Sequence, residues 1–184
     1  MAEPNVLLSG AIATVRRAAP SDMVSLRGDL SSAPLQMACR SLAETRFPDP
    51  REIVREVDRA LLWMAPDELL IVLPQGEAGR GVAKLNAALA GEHILAADVS
   101  DARVLFFVDG PGARDALAKL TPADLRPSVF GPGELRRTRL AQVPAAIWVT
   151  RANGFAVLCF RSVAGYMDDL LAAAVAPGGS VGYF

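Results

Sequence analysis

The chain has 184 residues, of which 52% are hydrophobic and 21% charged, and its formal net charge is −1. A near-neutral chain offers no electrostatic footprint for nucleic acid or an anionic membrane, and no apolar run approaches the roughly 18 residues of a membrane span. This length suits one globular domain, expected over 1–184, and the N-terminus lacks a basic stretch followed by an apolar core, so we expect a cytoplasmic protein.

The first half of the chain predicts a βαββα unit. Its elements are a strand over 23–28, a helix over 33–45, a hairpin over 60–65 and 68–73, a second helix over 79–90, and a closing strand over 94–99. The hairpin follows from the turn pair Pro66-Asp67, since proline presets φ and aspartate bonds its own backbone. The second helix follows from apolar residues at helical spacing, with Gly91 at its C-cap.

The second half predicts the same order of elements. It has a strand over 104–108, a helix over 111–120, strands over 135–140, 145–150 and 155–160, and a last helix over 163–175. Pro111 lies in the first turn of its helix, where proline is tolerated. Residues 122–133 are expected to form a long loop rich in proline and glycine. The tails 1–8 and 177–184 are expected to be loosely held.

The two halves resemble each other. Gly28 and Gly110 each end a strand that leads into a helix, and Trp63 and Trp148 each lie on the first strand of a hairpin, at nearly the same offset. A repeat this long indicates a pseudo-twofold fold, because solenoids use shorter periods and more copies. We therefore predict an α+β fold of two pseudo-repeated βαββα units, ferredoxin-like halves at about 20–99 and 100–176. The sheets are expected to be mixed, with helices packed on one face.

Residues for catalysis or cofactor binding are few. The single histidine, His93, has no nucleophile motif near it and is expected in a solvent-facing loop. Cys39 and Cys159 lie in apolar runs typical of buried free thiols. The glycine-rich stretch 76–81 lacks the Lys and Ser or Thr of a phosphate loop and the third glycine of a dinucleotide fingerprint. We predict no catalytic, cofactor-binding or metal-binding residue in this chain.

An ordered series of short motifs resembles the gamma subunit of heterotetrameric sarcosine oxidase. Together they cover most of residues 60–171, and they are Leu62-Trp63-Met64-Ala65-Pro66-Asp67-Glu68-Leu69-Leu70, Asp98-Val99-Ser100-Asp101, Gly110-Pro111, Phe130-Gly131-Pro132-Gly133, Arg137-Thr138-x-Leu140-Ala141, and Arg161-Ser162 before Tyr166. Asp109 stands where this family usually has a serine, and Val163 where it has a phenylalanine. The family is similar to the folate-binding region of aminomethyltransferases such as the glycine cleavage T-protein.

The resemblance implies a non-catalytic gamma subunit that supports assembly with alpha, beta and delta subunits. Such a complex oxidatively demethylates sarcosine and passes the one-carbon unit to tetrahydrofolate. FAD, FMN, NAD, zinc and tetrahydrofolate are then expected in the partner subunits, with no cofactor in this chain. The alternatives are a stand-alone folate-dependent aminomethyltransferase-like enzyme that uses a groove between the halves, or a folate- or small-ligand-binding module outside any oxidase.

Within this resemblance, seven charged residues are candidates for structural or interface roles. Asp98 and Asp101 flank Ser100 before a strand, where short polar side chains bond backbone amides. Arg103, Arg114 and Arg161 are candidates to pair with these carboxylates or with a partner chain. These residues predict a polar network that joins the halves, a contact surface for the large subunits, or a vestigial folate pocket.

Arg136 and Arg137, with Arg139, form the most basic run of the chain, on a strand that we expect to be exposed. Arginines on an edge strand discourage aggregation between sheets. They also suit an acidic subunit, because arginine is enriched at protein interfaces.

Overall fold

The computed structural model describes residues 6–9 and 12–182, which form eleven strands and four helices. The strands are β1 (Val6–Ser9), β2 (Thr14–Arg17), β3 (Asp22–Arg27), β4 (Ile53–Glu56), β5 (Arg59–Ala65), β6 (Glu68–Leu73), β7 (Leu95–Asp98), β8 (Arg103–Asp109), β9 (Leu135–Leu140), β10 (Val143–Arg151) and β11 (Gly154–Phe160). The helices are α1 (Ala33–Ala43), α2 (Ala78–Ala88), α3 (Ala113–Ala118) and α4 (Ala164–Val175), and short 3₁₀ turns lie at Ser100–Ala102 and Arg161–Val163. Within this part of the chain, no helix has the length and apolar character needed to cross a membrane.

The chain divides into two compact units. The continuous unit is Pro20–Asp101, and the split unit combines Met1–Ala19 with Ala102–Phe184. Each unit has its own sheet, its own pair of helices and its own apolar core. The fold is therefore α+β, with two sheets and four helices in the described residues.

The continuous unit has a five-stranded sheet in the order β4-β5-β6-β3-β7, and every strand pair in it is antiparallel. Both helices pack on one face of this sheet. Leu35 and Cys39 of α1 and Leu85 of α2 share a core with Val24 and Ile71 of the sheet. Successive side chains of a strand point to opposite faces, so these residues lie on the helix-covered face, and Met23 of β3 and Leu70 of β6 are buried on the other face.

Local chemistry fixes the ends of α1. The hydroxyl of Ser32 accepts a hydrogen bond from the amide of Leu35 at 3.4 Å, which caps the helix N-terminus, and Pro34 occupies the first turn. Glu44 ends the helix in the left-handed conformation, with φ of 53°. The predicted end at residue 45 is thus two residues late.

The split unit has a six-stranded sheet in the order β1-β2-β8-β11-β10-β9, again antiparallel throughout its strand pairs. Helices α3 and α4 pack on one face of it. Leu117 of α3 and Met167 of α4 share a core with Phe106, Ile147 and Val157 of the sheet. Residues 119–134 contain no helix or strand, as predicted for the loop over 122–133.

The two turn glycines are required for different reasons. A Cβ at Gly28 would lie 2.9 Å from a methyl of Ile94 and 3.0 Å from one of Leu35, so the close approach of these side chains requires glycine. Gly110 has φ of +136°, and a Cβ there would lie 3.0 Å from the Cα of Ala13. Both glycines directly follow a strand, β3 and β8.

The two tryptophans differ in their relation to the helix-covered core of their own unit. Trp63 on β5 packs against the core beneath α1 and α2. On β10, Ile147 and Val149 belong to the core beneath α3 and α4, whereas Trp148 between them does not. If the two tryptophans are aligned with each other, a side chain that packs against its core is matched with one that lies on the opposite face of its strand.

The sheets differ from the prediction because they are antiparallel and not mixed. A helical crossover creates a parallel pair only when it joins neighbouring strands. Here α1 connects β3 to β4, and β5 and β6 lie between those strands. Three strands were also missed, namely β1, β2 and β4.

The prediction that both tails are loosely held is wrong for the tail residues that the structure describes. Val6–Ser9 pairs with β2, and the backbone amides of Val181 and Gly182 bind the buried carboxylate of Asp115, each at 2.9 Å. Residues 1–5, 10–11 and 183–184 lie outside the described residues. The C-terminal segment is thus held by a specific side chain.

Candidate functional site

The turn after β7 is built around Asp98 and Ser100. One oxygen of Asp98 accepts hydrogen bonds from the amide of Ser100 at 2.9 Å and from its hydroxyl at 2.5 Å. The Ser100 hydroxyl oxygen in turn accepts from the amide of Met23 at 3.0 Å. These bonds from Ser100 lower the pKa of the Asp98 carboxyl below its ordinary value. The turn is therefore tied to the adjacent strand β3 by side-chain hydrogen bonds.

Within the described residues the partner of Asp98 is Ser100 and not an arginine, and pairing of the arginines with a partner chain stays a prediction. Asp101 lies in the 3₁₀ turn that continues from Ser100 and is exposed. Arg103 follows directly as the first residue of β8. Its guanidinium lies 4.0 Å from the ring centroid of Phe160, which is its partner across β8 and β11. This cation–π contact is partly open to solvent, because Phe160 is 46% exposed.

The structure brings Arg114 and Arg136 together through two buried phenylalanines. The guanidinium of Arg136 lies 5.0 Å from the ring centroid of Phe130, the rings of Phe130 and Phe155 are stacked at 6.3 Å, and Arg114 lies 4.9 Å from Phe155. The result is a four-layer stack with an arginine at each end. Such layers combine cation–π attraction with ring packing.

The same two arginines hold the main chain of the loop between α3 and β9. Arg114 donates to the carbonyl oxygens of Leu125 and Phe130, the latter at 3.2 Å. Arg136 donates to the carbonyl oxygen of Val129 at 2.6 Å. Burial lowers the pKa of Arg114. The arginine stack therefore orders the loop from inside its own unit.

Arg136 differs from the exposed position that the sequence predicts, because its side chain is only 19% exposed. Its neighbour Arg137 is exposed, as is Arg161 in the 3₁₀ turn before α4. Strand alternation explains the difference between Arg136 and Arg137, since successive side chains lie on opposite faces of β9. Two of the seven candidates, Arg137 and Arg161, are thus exposed arginines.

Sequence reasoning missed several charged contacts of the split unit. Arg17 on β2 makes a two-pronged ion pair with Asp168 on α4, and this hydrogen bond raises the pKa of Arg17. Asp109 lies between Arg16 at 3.7 Å and Arg151 at 2.8 Å. The pair of Arg17 with Asp168 could not be predicted from the sequence, because strand β2 was not predicted and no local pattern places Arg17 beside α4.

The predicted surroundings of the histidine and the cysteines are confirmed. His93 is exposed in the loop before β7, and both thiols are buried. Burial raises the pKa of Cys39 to about 12 and that of Cys159 to about 11. Thiols of such high pKa are protonated at neutral pH and are poor nucleophiles. Residues 6–9 and 12–182 contain no group of three or more His, Cys, Asp or Glu side chains that could hold a metal ion.

Comparison with known proteins identifies close similarity to one family. Residues 27–177 match the model of the sarcosine oxidase, gamma subunit family. Sarcosine oxidase subunit gamma from Arthrobacter sp. is 39% identical over 99 residues, which make up 54% of this chain and 48% of that protein. The chain spans about half the length of the curated relatives that it matches.

Two solved structures share the fold. Heterotetrameric sarcosine oxidase from Corynebacterium sp. U-96 in complex with pyrrole 2-carboxylate contains a chain that is 25% identical with a TM-score of 0.83, covering 97% of this chain and 91% of that one. Glycine cleavage system aminomethyltransferase T from Bartonella henselae is 17% identical with a TM-score of 0.63, covering 88% of this chain and 46% of that one. The second likeness is one of fold alone.

Proposed function

Because the chain belongs to the sarcosine oxidase gamma subunit family, we propose that it is a non-catalytic accessory subunit of a heterotetrameric sarcosine oxidase. The observation that carries this proposal is the TM-score of 0.83 over 97% of the chain to one chain of such an enzyme. If the chain is a subunit of the same kind, its fold should match over nearly the whole of both chains, as it does.

The proposed partners are the alpha, beta and delta subunits of the same complex. In this proposal the complex oxidatively demethylates sarcosine and passes the one-carbon unit to tetrahydrofolate. FAD, FMN, NAD, zinc and tetrahydrofolate would be held by the partners. The contacts described above support a non-catalytic role, because Asp98, Arg114 and Arg136 form hydrogen bonds with turns and loops of this chain.

We assign the seven charged residues to two roles. Asp98, Arg114 and Arg136 would order the fold, because their contacts are with a hydroxyl, main-chain carbonyls and buried rings of their own unit. Arg137 and Arg161 would meet a partner subunit, because both are exposed. Asp101 is exposed in its turn and Arg103 lies over the ring of Phe160, and both remain candidates for either role.

We also propose that the two halves of the fold arose as repeats. The order β4-β5-β6-β3-β7 in one unit is matched by β9-β10-β11-β8-β2 in the other, with β7 and β2 in the last place. Connections match as well, since a helix follows β3 and β8 and another follows β6 and β11. The test is a superposition of the two units in an experimental structure, which should bring the Cα atoms of Gly28 and Gly110 into register.

The accessory role is tested by purifying the tagged chain from its native host. Flavoprotein subunits recovered at fixed stoichiometry are the expected result. In parallel, the isolated chain is titrated with tetrahydrofolate in a calorimeter, and no binding is expected. A lone chain that binds tetrahydrofolate stoichiometrically, with no companion protein, would overturn the proposal in favour of a folate-binding protein.

A further inference from the structure

Helices α1 and α2 of the continuous unit form the walls of an open groove at the protein surface. We call it the helix groove. Its lining residues are Pro34, Met37, Ala38, Ser41, Leu42, Lys84, Leu85 and Ala88. We propose that a partner subunit inserts an amphipathic helix into the helix groove, with an apolar stripe in contact with Met37 and carboxylates beside that stripe that reach Lys84 and Arg40.

The groove has the shape and apolar surface that a third helix requires. Pro34, Met37 and Ser41 recur at helical spacing and form one stripe along α1, and Lys84 and Ala88 form a second stripe along α2. Ala38, Leu42 and Leu85 form an apolar floor between the stripes, against which the ridge of another helix can pack. An amphipathic helix laid into such a groove is a recurring mode of recognition.

Met37 is the apolar centre of the helix groove, and its side chain is 70% exposed. An exposed methionine in an otherwise well-packed unit is a feature of interfaces, where methionine is enriched because its flexible thioether adapts to a partner. The neighbouring positions Leu35 and Cys39 are buried beneath α1, so Met37 has no role in that core.

The charged side chains of α1 and α2 indicate the charge of the partner segment. In α1 and α2 the charged side chains are Arg40, Arg80 and Lys84, all exposed, and none makes an ion pair or side-chain hydrogen bond within the described residues. Acidic residues nevertheless outnumber basic ones in the continuous unit as a whole. The charged side chains within the two helices are thus all positive, and Lys84 lies in the groove lining. Glu44 at the C-terminal end of α1 is already paired with Arg59 at 3.6 Å, so the cations without an ion pair complement an acidic segment.

The same charges disfavour a second copy of this chain as the occupant. A twofold contact places the same surface of each copy against the other. A dimer through the helix groove would then gather both copies of Lys84 and Arg40 in one interface, and like charges across an interface are repulsive. A different, acidic polypeptide is the occupant that these residues favour.

This inference rests on the proposed accessory function, and binding to the alpha, beta and delta subunits tests it. Met37→Glu and Lys84→Glu in the full chain should each weaken capture of these subunits about tenfold or more, by adding charge to an apolar contact or reversing a complementary one. Matched controls are Val57→Glu, an equally apolar side chain that is 94% exposed, and Arg55→Glu, an exposed cation outside the groove. Both should bind within about twofold of wild type.

Cross-linking gives a readout that does not depend on a loss of affinity. Both native cysteines are buried, so Met37→Cys places the single accessible thiol of the described residues in the helix groove. With a maleimide–benzophenone reagent, this variant should cross-link in the assembled complex to a helical peptide of another subunit that is rich in Asp and Glu. Val57→Cys should give no cross-link to that peptide.

The outcomes separate the two proposals. If wild type binds and Met37→Glu binds equally well, or if Met37→Cys cross-links only to another copy of this chain, the groove proposal is wrong and the accessory role stands. If wild type captures none of the three subunits, the accessory role fails and the groove proposal falls with it. Melting curves of the free variants should match that of wild type, because every substituted position is exposed.

Discussion

Asp98, Arg114 and Arg136 each bind groups of their own unit, whereas Arg137 lies exposed on the same strand as Arg136. The sequence indicates which of these positions are polar, and it predicts the turn at Asp98 because short polar side chains cap turns. It does not predict which arginine of a run lies beneath a loop. That distinction depends on which face of β9 the loop covers, a contact between residues distant in the chain.

Asp98→Ala should lower the free energy of unfolding by about 1 kcal/mol, because the amide and hydroxyl of Ser100 lose their acceptor. Urea unfolding of the isolated chain measures this change. Asp98→Asn is the matched control, since its amide oxygen still accepts both hydrogen bonds without the charge. If Asp98→Ala unfolds at the same urea concentration as wild type, the stability of the turn does not depend on this side chain.

The pKa of Asp98 also predicts a dependence on pH. Folding lowers this pKa, so the carboxylate contributes stability above its ordinary pKa, and that contribution is lost as pH falls through the lowered folded value. The difference in unfolding free energy between wild type and Asp98→Asn should therefore shrink on going from neutral to acidic pH. A difference that grows on acidification would contradict the assigned contacts.

Arg136→Ala should destabilise the chain by about 1–2 kcal/mol, because the carbonyl oxygen of Val129 loses a charged donor and Phe130 loses one layer of its stack. Arg137→Ala is the control and should leave stability within about 0.5 kcal/mol of wild type, as exposed substitutions do. Thermal melts of the free chain measure both. Equal effects of the two changes would argue against the arginine stack as the clamp of the loop.

At the level of elements, the apolar hairpin strands are predictable and the short charged strands are not. Strand β6 has the predicted bounds because its sequence, ELLIVL, is almost continuously apolar. Strands β2 and β4 have four residues each and carry charged side chains, TVRR and IVRE. Strand β2 pairs with the distant β8, so no local pattern indicates it. Strand β4 forms a hairpin with β5 across Val57 and Asp58, but its charged residues lack the apolar run that marks a strand.

The C-terminal segment is the element whose predicted behaviour changed most. Asp115→Ala removes the acceptor of the Val181 and Gly182 amides, and hydrogen exchange of these two amides should then accelerate. Asp169→Ala removes an exposed carboxylate of α4 and is the control. Unchanged protection at residues 181–182 in Asp115→Ala would mean that other contacts hold the segment.

At the level of the whole molecule, the sequence predicts an α+β fold with paired halves but not the direction of its strand pairs. The repeated order of strand, helix and hairpin is visible in the chain itself. Which strands become neighbours depends on how each helix crosses its sheet. Strands β3 and β4 sit three places apart in their sheet, so their helical connection creates no parallel pair.

The central claim is that this chain supports the assembly of a larger enzyme and does no chemistry alone. Native mass spectrometry of the alpha, beta and delta subunits of sarcosine oxidase, expressed with and without this chain, tests that claim most directly. We expect one copy of each of the four subunits in a flavin-containing complex that oxidises sarcosine, and incomplete assembly when the chain is left out. An equally active complex of the other three subunits, which neither includes nor needs this chain, would contradict the account.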